Sequence, residues 1–349
     1  MHATRMLGAM IFVTAAACSK LSPTPPVGDA PQPASDAGAA PRTTAAPAVT
    51  AARPLPPLGA VPALPKATGK GKFAIAGRAE SAIEVAVPEK RPAKPPLVIA
   101  FHGTGEEPEA AMASFDLVAK AEAHGFVAIA PRAGHRDTEH PPDIDHPINW
   151  GGSSWNMWTA GADKNEDLVY VRALIESATK TWNADPTRVY VMGFSNGGYF
   201  SYFVAASMPD RIAGFAEMSA GWSTDACPQR TDADGNSLHL MKTGGPPGKE
   251  MACSTVMADK AFPSKCRVTA TNKLRPPTPG GRVPFGYLAH YTVDDSVSVA
   301  WTCLLAEGMG ARAKTMIRSA EPDGTTGHYP MPDFTDGAWK LWANRSTAQ

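Results

Sequence analysis

At 349 residues the chain has room for one large domain or two ordinary ones. Lysine plus arginine balances aspartate plus glutamate, 33 against 33, and only 19% of residues are charged, so no electrostatic argument for nucleic acid or an acidic partner survives. No glycine-rich phosphate loop with a lysine and no dinucleotide fingerprint at a first strand is present, and no cofactor is expected.

His2 and Arg5 precede an apolar run from Met6 to Val13, and Ala15-Ala16-Ala17-Cys18-Ser19 follows. Residues 1–17 are too short to stay as a membrane helix and predict an export signal. Small residues before a cysteine resemble a bacterial lipobox, in which Cys18 would become the lipidated first residue and tie the protein to a membrane. Leucine is usual where Ala15 stands, and an ordinary Ala-x-Ala cleavage would cut the same bond. Either way the protein is expected to be exported. Twelve prolines lie between Leu21 and Pro65 among Ala, Thr and Ser, with almost nothing to bury. Residues 18–68 are therefore expected to form a disordered, polyproline-biased tether, placing the body on the order of 40 Å from its anchor.

The folded body is expected over 69–349. Phe73 to Ala76 and Ile83 to Val87 predict strands, and Pro96 to Phe101 is a continuous apolar run of the kind buried on both faces. Ala110 to His124 has helical spacing and Gly125 closes it. Phe126 to Pro131 predicts another buried strand, and Asp163 to Trp182 a long amphipathic helix. Arg188 to Phe194 is a strand that ends in Gly193-Phe194-Ser195-Asn196-Gly197, and a helix follows at once. Ile212 to Ser219, Val283 to Tyr291 and Ala313 to Arg318 complete the strands; Ser296 to Met309 and Asp333 to Ala343 complete the helices. Strands alternating with helices predict an α/β fold with a mostly parallel central sheet, its active site beyond the carboxyl ends of the strands.

Periodicity fails from Gly221 to Arg282, which reads as a cysteine-containing insertion over the site, a lid or a stapled flap. Cys227, Cys253 and Cys266 there, with Cys303, allow three disulfide pairings in an exported protein.

Strand, sharp turn and helix around Gly-x-Ser-x-Gly form the setting in which a serine is presented as a nucleophile. A serine hydroxyl needs a base in hydrogen-bond reach, and the base needs an orienting acid. In this arrangement acid and histidine follow the serine in chain order. Asp294 stands just past a late strand, with the adjacent Asp295 as rival. Beyond it the chain holds a single histidine, His328. The candidate catalytic set is Ser195, Asp294 and His328. The oxyanion is expected to meet the backbone N–H of Asn196 and a second donor from the His102-Gly103-Thr104-Gly105 turn, Thr104 with Gly105 as the alternative.

Phe101-His102-Gly103-Thr104-Gly105, Ala123 to Val127 with Pro131, and Ala184 to Val191 running into Gly193 to Gly198 resemble the polyhydroxybutyrate depolymerase and feruloyl esterase group of α/β-hydrolases, over about Pro96 to Ala220. The resemblance implies an exported carboxylic ester hydrolase acting on polyesters or plant-derived aromatic esters, with Ser195, Asp294 and His328 at the triad positions. Three departures lie on the substrate side: Ser154-Trp155-Asn156 where Cys-Trp-Asn is frequent, Gly327-His328-Tyr329-Pro330 where Gly-His-x-Trp-Pro is, and Tyr291 near the acid where glycine is usual. Trp155 and Tyr329 are taken as substrate-side residues. The histidines and aspartates between Arg132 and Trp158 lack a tight ligand pair, and no metal is expected. The expected partners are an ester substrate and, through Cys18, a membrane; no nucleic acid is expected, and the protein is expected to be a monomer. A peptidase or acyltransferase would share the acyl-enzyme chemistry, whereas a surface binding protein would need a broken triad.

Overall fold

The computed structural model describes residues 57–136, 152–157, 163–221, 246–258, 283–294 and 296–347, all within one unit, Pro54–Gln349. An antiparallel pair, β1 (Gly69–Ile75) and β2 (Arg78–Ala86), opens the chain. The apolar run after it becomes β3 (Leu97–Phe101), buried at every position. The single helix expected over 110–124 is two, α1 (Pro108–Ser114) and α2 (Leu117–His124). The chain breaks at Asp116, whose left-handed backbone (φ 48°) turns Phe115 and Leu117 both into the core, where Phe115 meets the ring of Phe334 at 5.6 Å. Gly125, at φ 73°, ends α2 as its spacing predicts.

β4 (Val127–Pro131) is followed by a short ribbon that the periodicity did not signal, β5 (His135–Arg136) with β6 (Gly152–Ser153). The long amphipathic helix is α3 (Glu166–Trp182), started by Asn165, whose side chain accepts the N–H groups of Asp167 and Leu168. Next come β7 (Val189–Phe194), α4 (Asn196–Ser207) and β8 (Gly214–Met218). The described part of the insertion holds β9 (Glu250–Met251) and α5 (Cys253–Met257). β10 (Phe285–Tyr291), α6 (Val299–Met309), β11 (Ala313–Arg318) and α7 (Phe334–Trp342) finish the body.

Among the described residues the sheet has nine strands in the order β1-β2-β4-β3-β7-β8-β10-β11-β9. From β4 to β11 all neighbours run parallel; β1 with β2, β2 with β4, and β9 with β11 are antiparallel. Alternation along each strand divides the core between the faces. Ile99, Phe101 and Val191 pack with α3 and α4 on one face, while Val98, Ala100 and Met192 pack with α1, α2 and α7 on the other. The strand order reverses at β3, which has β4 on one side and β7 on the other, so the crevice beyond β3 and β7 is the natural ligand position.

One boundary differs from that read in the sequence. The chain joins the body before residue 69. Leu64 is buried, its N–H donates to Thr181 Oγ1, and the carbonyls of Pro62 and Pro65 accept from Ser177 and Trp182 on α3. One leucine among prolines carries too little pattern to announce that docking. The insertion is likewise tied to the body, by a disulfide between Cys253 of α5 and Cys303 of α6. In the chain-entropy account, closing a loop of this length stabilises by about 4 kcal/mol. Cys227 and Cys266 lie outside the described residues, as do Cys18 and most of the insertion.

Candidate active site

The Gly-x-Ser-x-Gly turn is dictated by how closely three backbones meet. A Cβ on Gly193 would stand 2.1 Å from the carbonyl oxygen of Gly197, and one on Gly197 would stand 2.2 Å from that of Phe101. Neither obstacle is a side chain that could move aside. Between them Ser195 is forced to φ 53°, ψ −122°, a conformation that costs about 1–3 kcal/mol and is held by the surrounding sheet. Its N–H donates to the Met218 carbonyl, at 2.9 Å. Gly197→Ala is therefore expected to destabilise the fold by more than about 4 kcal/mol, the range of severe core defects. Urea unfolding would check it, and a midpoint equal to that of the unsubstituted protein would contradict the close approach.

Asp294 follows β10 by three residues and is buried. Its Oδ1 accepts the N–H groups of Ser296 (2.9 Å) and Val297 (2.8 Å), and its Oδ2 lies 2.8 Å from His328 Nδ1. Burial pushes this carboxyl up, but the hydrogen bonds from His290 and His328 outweigh burial and hold it well below the usual carboxylate range. The carboxylate is thus ionised and fixed, as an orienting acid must be. The ring of His328 packs 4.7 Å from that of Phe194, the residue before Ser195, which brings imidazole and serine to the same end of the sheet. The Ser195 hydroxyl makes no hydrogen bond to a described residue.

The turn after β3 supplies the facing wall. His102 is buried; its Nδ1 meets the Gly103 carbonyl at 2.6 Å and its Nε2 accepts the Ala133 N–H. Burial lowers it to about 4, so at neutral pH it is an uncharged structural imidazole. The Gly103 N–H is taken by Glu106 and the Gly105 N–H by the Ser153 carbonyl, at 2.8 Å. The alternative donor Gly105 is therefore committed, whereas the Thr104 N–H has no partner among the described residues. Asn196 is the first residue of α4, where a backbone N–H has no partner within the helix. Trp155 is not a substrate-side residue. Its side chain is buried, stacked 4.9 Å on Phe200, and its Nε1 donates to the His102 carbonyl while its own N–H donates to Asn196 Oδ1. It braces the turn after β3 against the start of α4, because the ribbon β5–β6 draws it inward. Tyr329, half exposed, stands next to His328 at the mouth.

No family model matches the chain. It is 31% identical over 124 residues to a feruloyl esterase B of Neurospora crassa, covering 36% of this chain and 38% of that one. It is 28% identical over 137 residues to a bifunctional acetylxylan esterase/xylanase of Neocallimastix patriciarum, 39% of this chain and 17% of that one. A poly(3-hydroxyalkanoate) depolymerase C of Paucimonas lemoignei is 27% identical over 141 residues, 39% of this chain and 30% of its own. The relatives carry the names of the group that the motifs resemble. The fold is that of an α/β-hydrolase. In each case the match spans less than two fifths of the relative's own length. Among solved structures, a thermostable esterase superimposes with a TM-score of 0.49 and 17% identity over 80% of this chain and 63% of that one.

Within this fold, three groups next to the candidate triad escaped the sequence reading. His290 precedes the acid in the chain, outside the expected order, yet its Nε2 lies 3.2 Å from Asp294 Oδ2. Behind it stand Thr302 and the fully buried Glu217. A lone carboxyl inside the apolar run Gly214-Phe215-Ala216-Glu217-Met218 was the available signal. Asp295 and the histidines of 137–151 lie outside the described residues; among the described residues no three His, Cys, Asp or Glu side chains group as metal ligands, and no helix is long and apolar enough to cross a membrane.

Proposed function

We propose that this chain is an exported serine carboxylic ester hydrolase working through an acyl-enzyme. The observation that carries the reading is a serine held at φ 53° on a β7–α4 elbow, with an ionised aspartate and its hydrogen-bonded histidine at the same end of the sheet. His328 Nε2 takes the Ser195 proton as Oγ bonds to the ester carbonyl carbon, a contact that commonly tightens only with substrate bound. The resulting oxyanion is received by the N–H groups of Asn196 and Thr104, each worth about 3–4 kcal/mol at such a site. The carbon–oxygen bond to the alcohol then breaks, and His328 returns the proton to the leaving alkoxide. Water repeats the sequence on the acyl-serine, giving the carboxylic acid and free Ser195.

The names of the relatives point to polyesters, feruloyl-type aromatic esters or acetylated xylan as substrate classes, with Tyr329 at the mouth as a contact. Lipidation at Cys18 would place this activity on a membrane surface. A fluorophosphonate probe followed by peptide mapping tests the chemistry: modification at Ser195 is expected. Poly(3-hydroxybutyrate), methyl ferulate and acetylated xylan assayed side by side sort the substrate class. A protein that neither reacts with the probe nor turns over any ester, while cleaving peptide anilides or transferring acyl groups, would refute the esterase reading.

A further inference from the structure

The buried face of Asp294 carries a second histidine, and behind it a chain of hydrogen-bonding groups that reaches no solvent. His290 Nδ1 lies 2.7 Å from Thr302 Oγ1 on α6, and Thr302 Oγ1 lies 3.0 Å from Glu217 Oε1 on β8 and 3.0 Å from the Ala220 carbonyl. His290 Nε2 faces only acceptors, the Val297 carbonyl at 3.0 Å and Asp294 Oδ2 at 3.2 Å. Both contacts are hydrogen bonds only while Nε2 carries a proton.

That fact leaves two arrangements. In the first, a protonated Glu217 donates to Thr302, Thr302 donates to Nδ1, and His290 is neutral. In the second, Thr302 turns its single proton to Glu217 or Ala220, so Nδ1 must donate and His290 becomes a cation. Glu217 is fully buried, the Thr302 side chain and the Ala220 backbone are its partners, and Oε2 has none. An ionised carboxylate left with so few donors is costly, which selects the first arrangement. Burial foremost raises Glu217 to about 8. The other titratable groups against the cluster are Asp294, His328 and Tyr199 of α4, whose phenol is held neutral by burial first and then by the two carboxylates.

We propose that His290 is a positioning residue of the hydrolytic site, held in its Nε2–H tautomer by a Glu217–Thr302 relay and clamping the Asp294 oxygen that His328 also meets. The inference rests on the assignment of Ser195, His328 and Asp294 made above. Asp294 Oδ2 then receives two N–H groups, one from each imidazole, and Oδ1 receives two from the backbone. The carboxylate cannot turn away from His328, and part of its charge is already satisfied. When Glu217 ionises, the Thr302 proton turns to it and Nδ1 loses its donor.

The test is the pH dependence of kcat/KM for p-nitrophenyl acetate, net of background, in the full-length protein and its Glu217→Gln and His290→Leu variants, with circular dichroism and fluorophosphonate reaction run on each. Removing the His290 donor leaves more Asp294 charge for the His328 proton, so the acid limb should move up by about half a pH unit to one unit with kcat lowered about tenfold and KM held within about twofold. Glu217→Gln still donates to Thr302 and cannot ionise, so the alkaline limb near pH 8 should move beyond pH 9. If His290→Leu fails to fold, Glu217→Gln alone decides. A folded, probe-reactive Glu217→Gln with the unsubstituted protein's alkaline limb, or a folded His290→Leu whose activity falls with no movement of the acid limb, would overturn the relay. An unsubstituted protein inert to probe and ester would remove the underlying assignment and the relay with it.

Discussion

On the proposed mechanism, Ser195→Ala should lower kcat/KM for a p-nitrophenyl ester by on the order of 10⁵–10⁶-fold and abolish fluorophosphonate modification, because the group that would form the acyl bond is gone while the remaining machinery would act as a unit with it. The fold should be almost untouched. Ser195 keeps its position through its backbone, by the N–H bond to Met218 and the close approach of Gly193 to Gly197, and alanine preserves both. Alanine at φ 53° also bears much the same strain as serine, so a thermal midpoint within about 3 °C of the unsubstituted protein is expected. Retention of even a hundredth of the activity in a clean preparation would show that the nucleophile lies elsewhere.

Asp294→Asn is the second large effect, on the order of 10⁴-fold in kcat, as when a triad aspartate becomes an amide. The reason can be read from the hydrogen bonds. The Ser296 and Val297 N–H groups hold the asparagine carbonyl oxygen at the Oδ1 position, which turns the amide NH₂ toward both His328 Nδ1 and His290 Nε2. Donor then faces donor. His328 can relieve this only by moving its proton to Nε2, where it can no longer accept from serine. The same change has a pH signature in stability. The Asp294 carboxyl is depressed in the folded protein, so it stabilises the fold above the ordinary carboxylate range, and that stability is lost as pH falls through its folded value. Asp294→Asn should thus lower the thermal midpoint near pH 7 and converge with the unsubstituted protein in strong acid. Asp295→Asn serves as the control; if it, and not Asp294→Asn, removes activity, the acid has been misassigned by one residue.

The elbow was legible because everything that makes it is local. Glycines at 193 and 197 around a serine, after a β-branched strand and before a helix, describe the geometry within twelve residues, and the backbone distances at those glycines give the reason. The buried strands were legible for the same reason, since burial on both faces leaves an unbroken apolar run. The kink at Asp116 was hidden because a left-handed residue inside an amphipathic stretch does not disturb its spacing. Trp155 was misjudged because an aromatic residue in a loop has one composition whether it lines a pocket or lies beneath one. Its place follows from the pairing of His135 with Ser153, residues far apart in the chain, which no periodicity records.

By itself, then, the amino-acid sequence determined the α/β class, the elbow and the chain order of serine, aspartate and histidine, all of which follow from local period and steric demand. Tertiary structure decided what meets Asp294. His328 arrives from 34 residues away, and His290 is brought to the carboxylate by the bend after β10. It also decided that Cys253 pairs with Cys303, that Trp155 supports the turn after β3, and that Glu217 is sealed behind α6. Such contacts depend on strand order and on the close packing of distant segments, and a one-dimensional pattern reports only which face a residue takes.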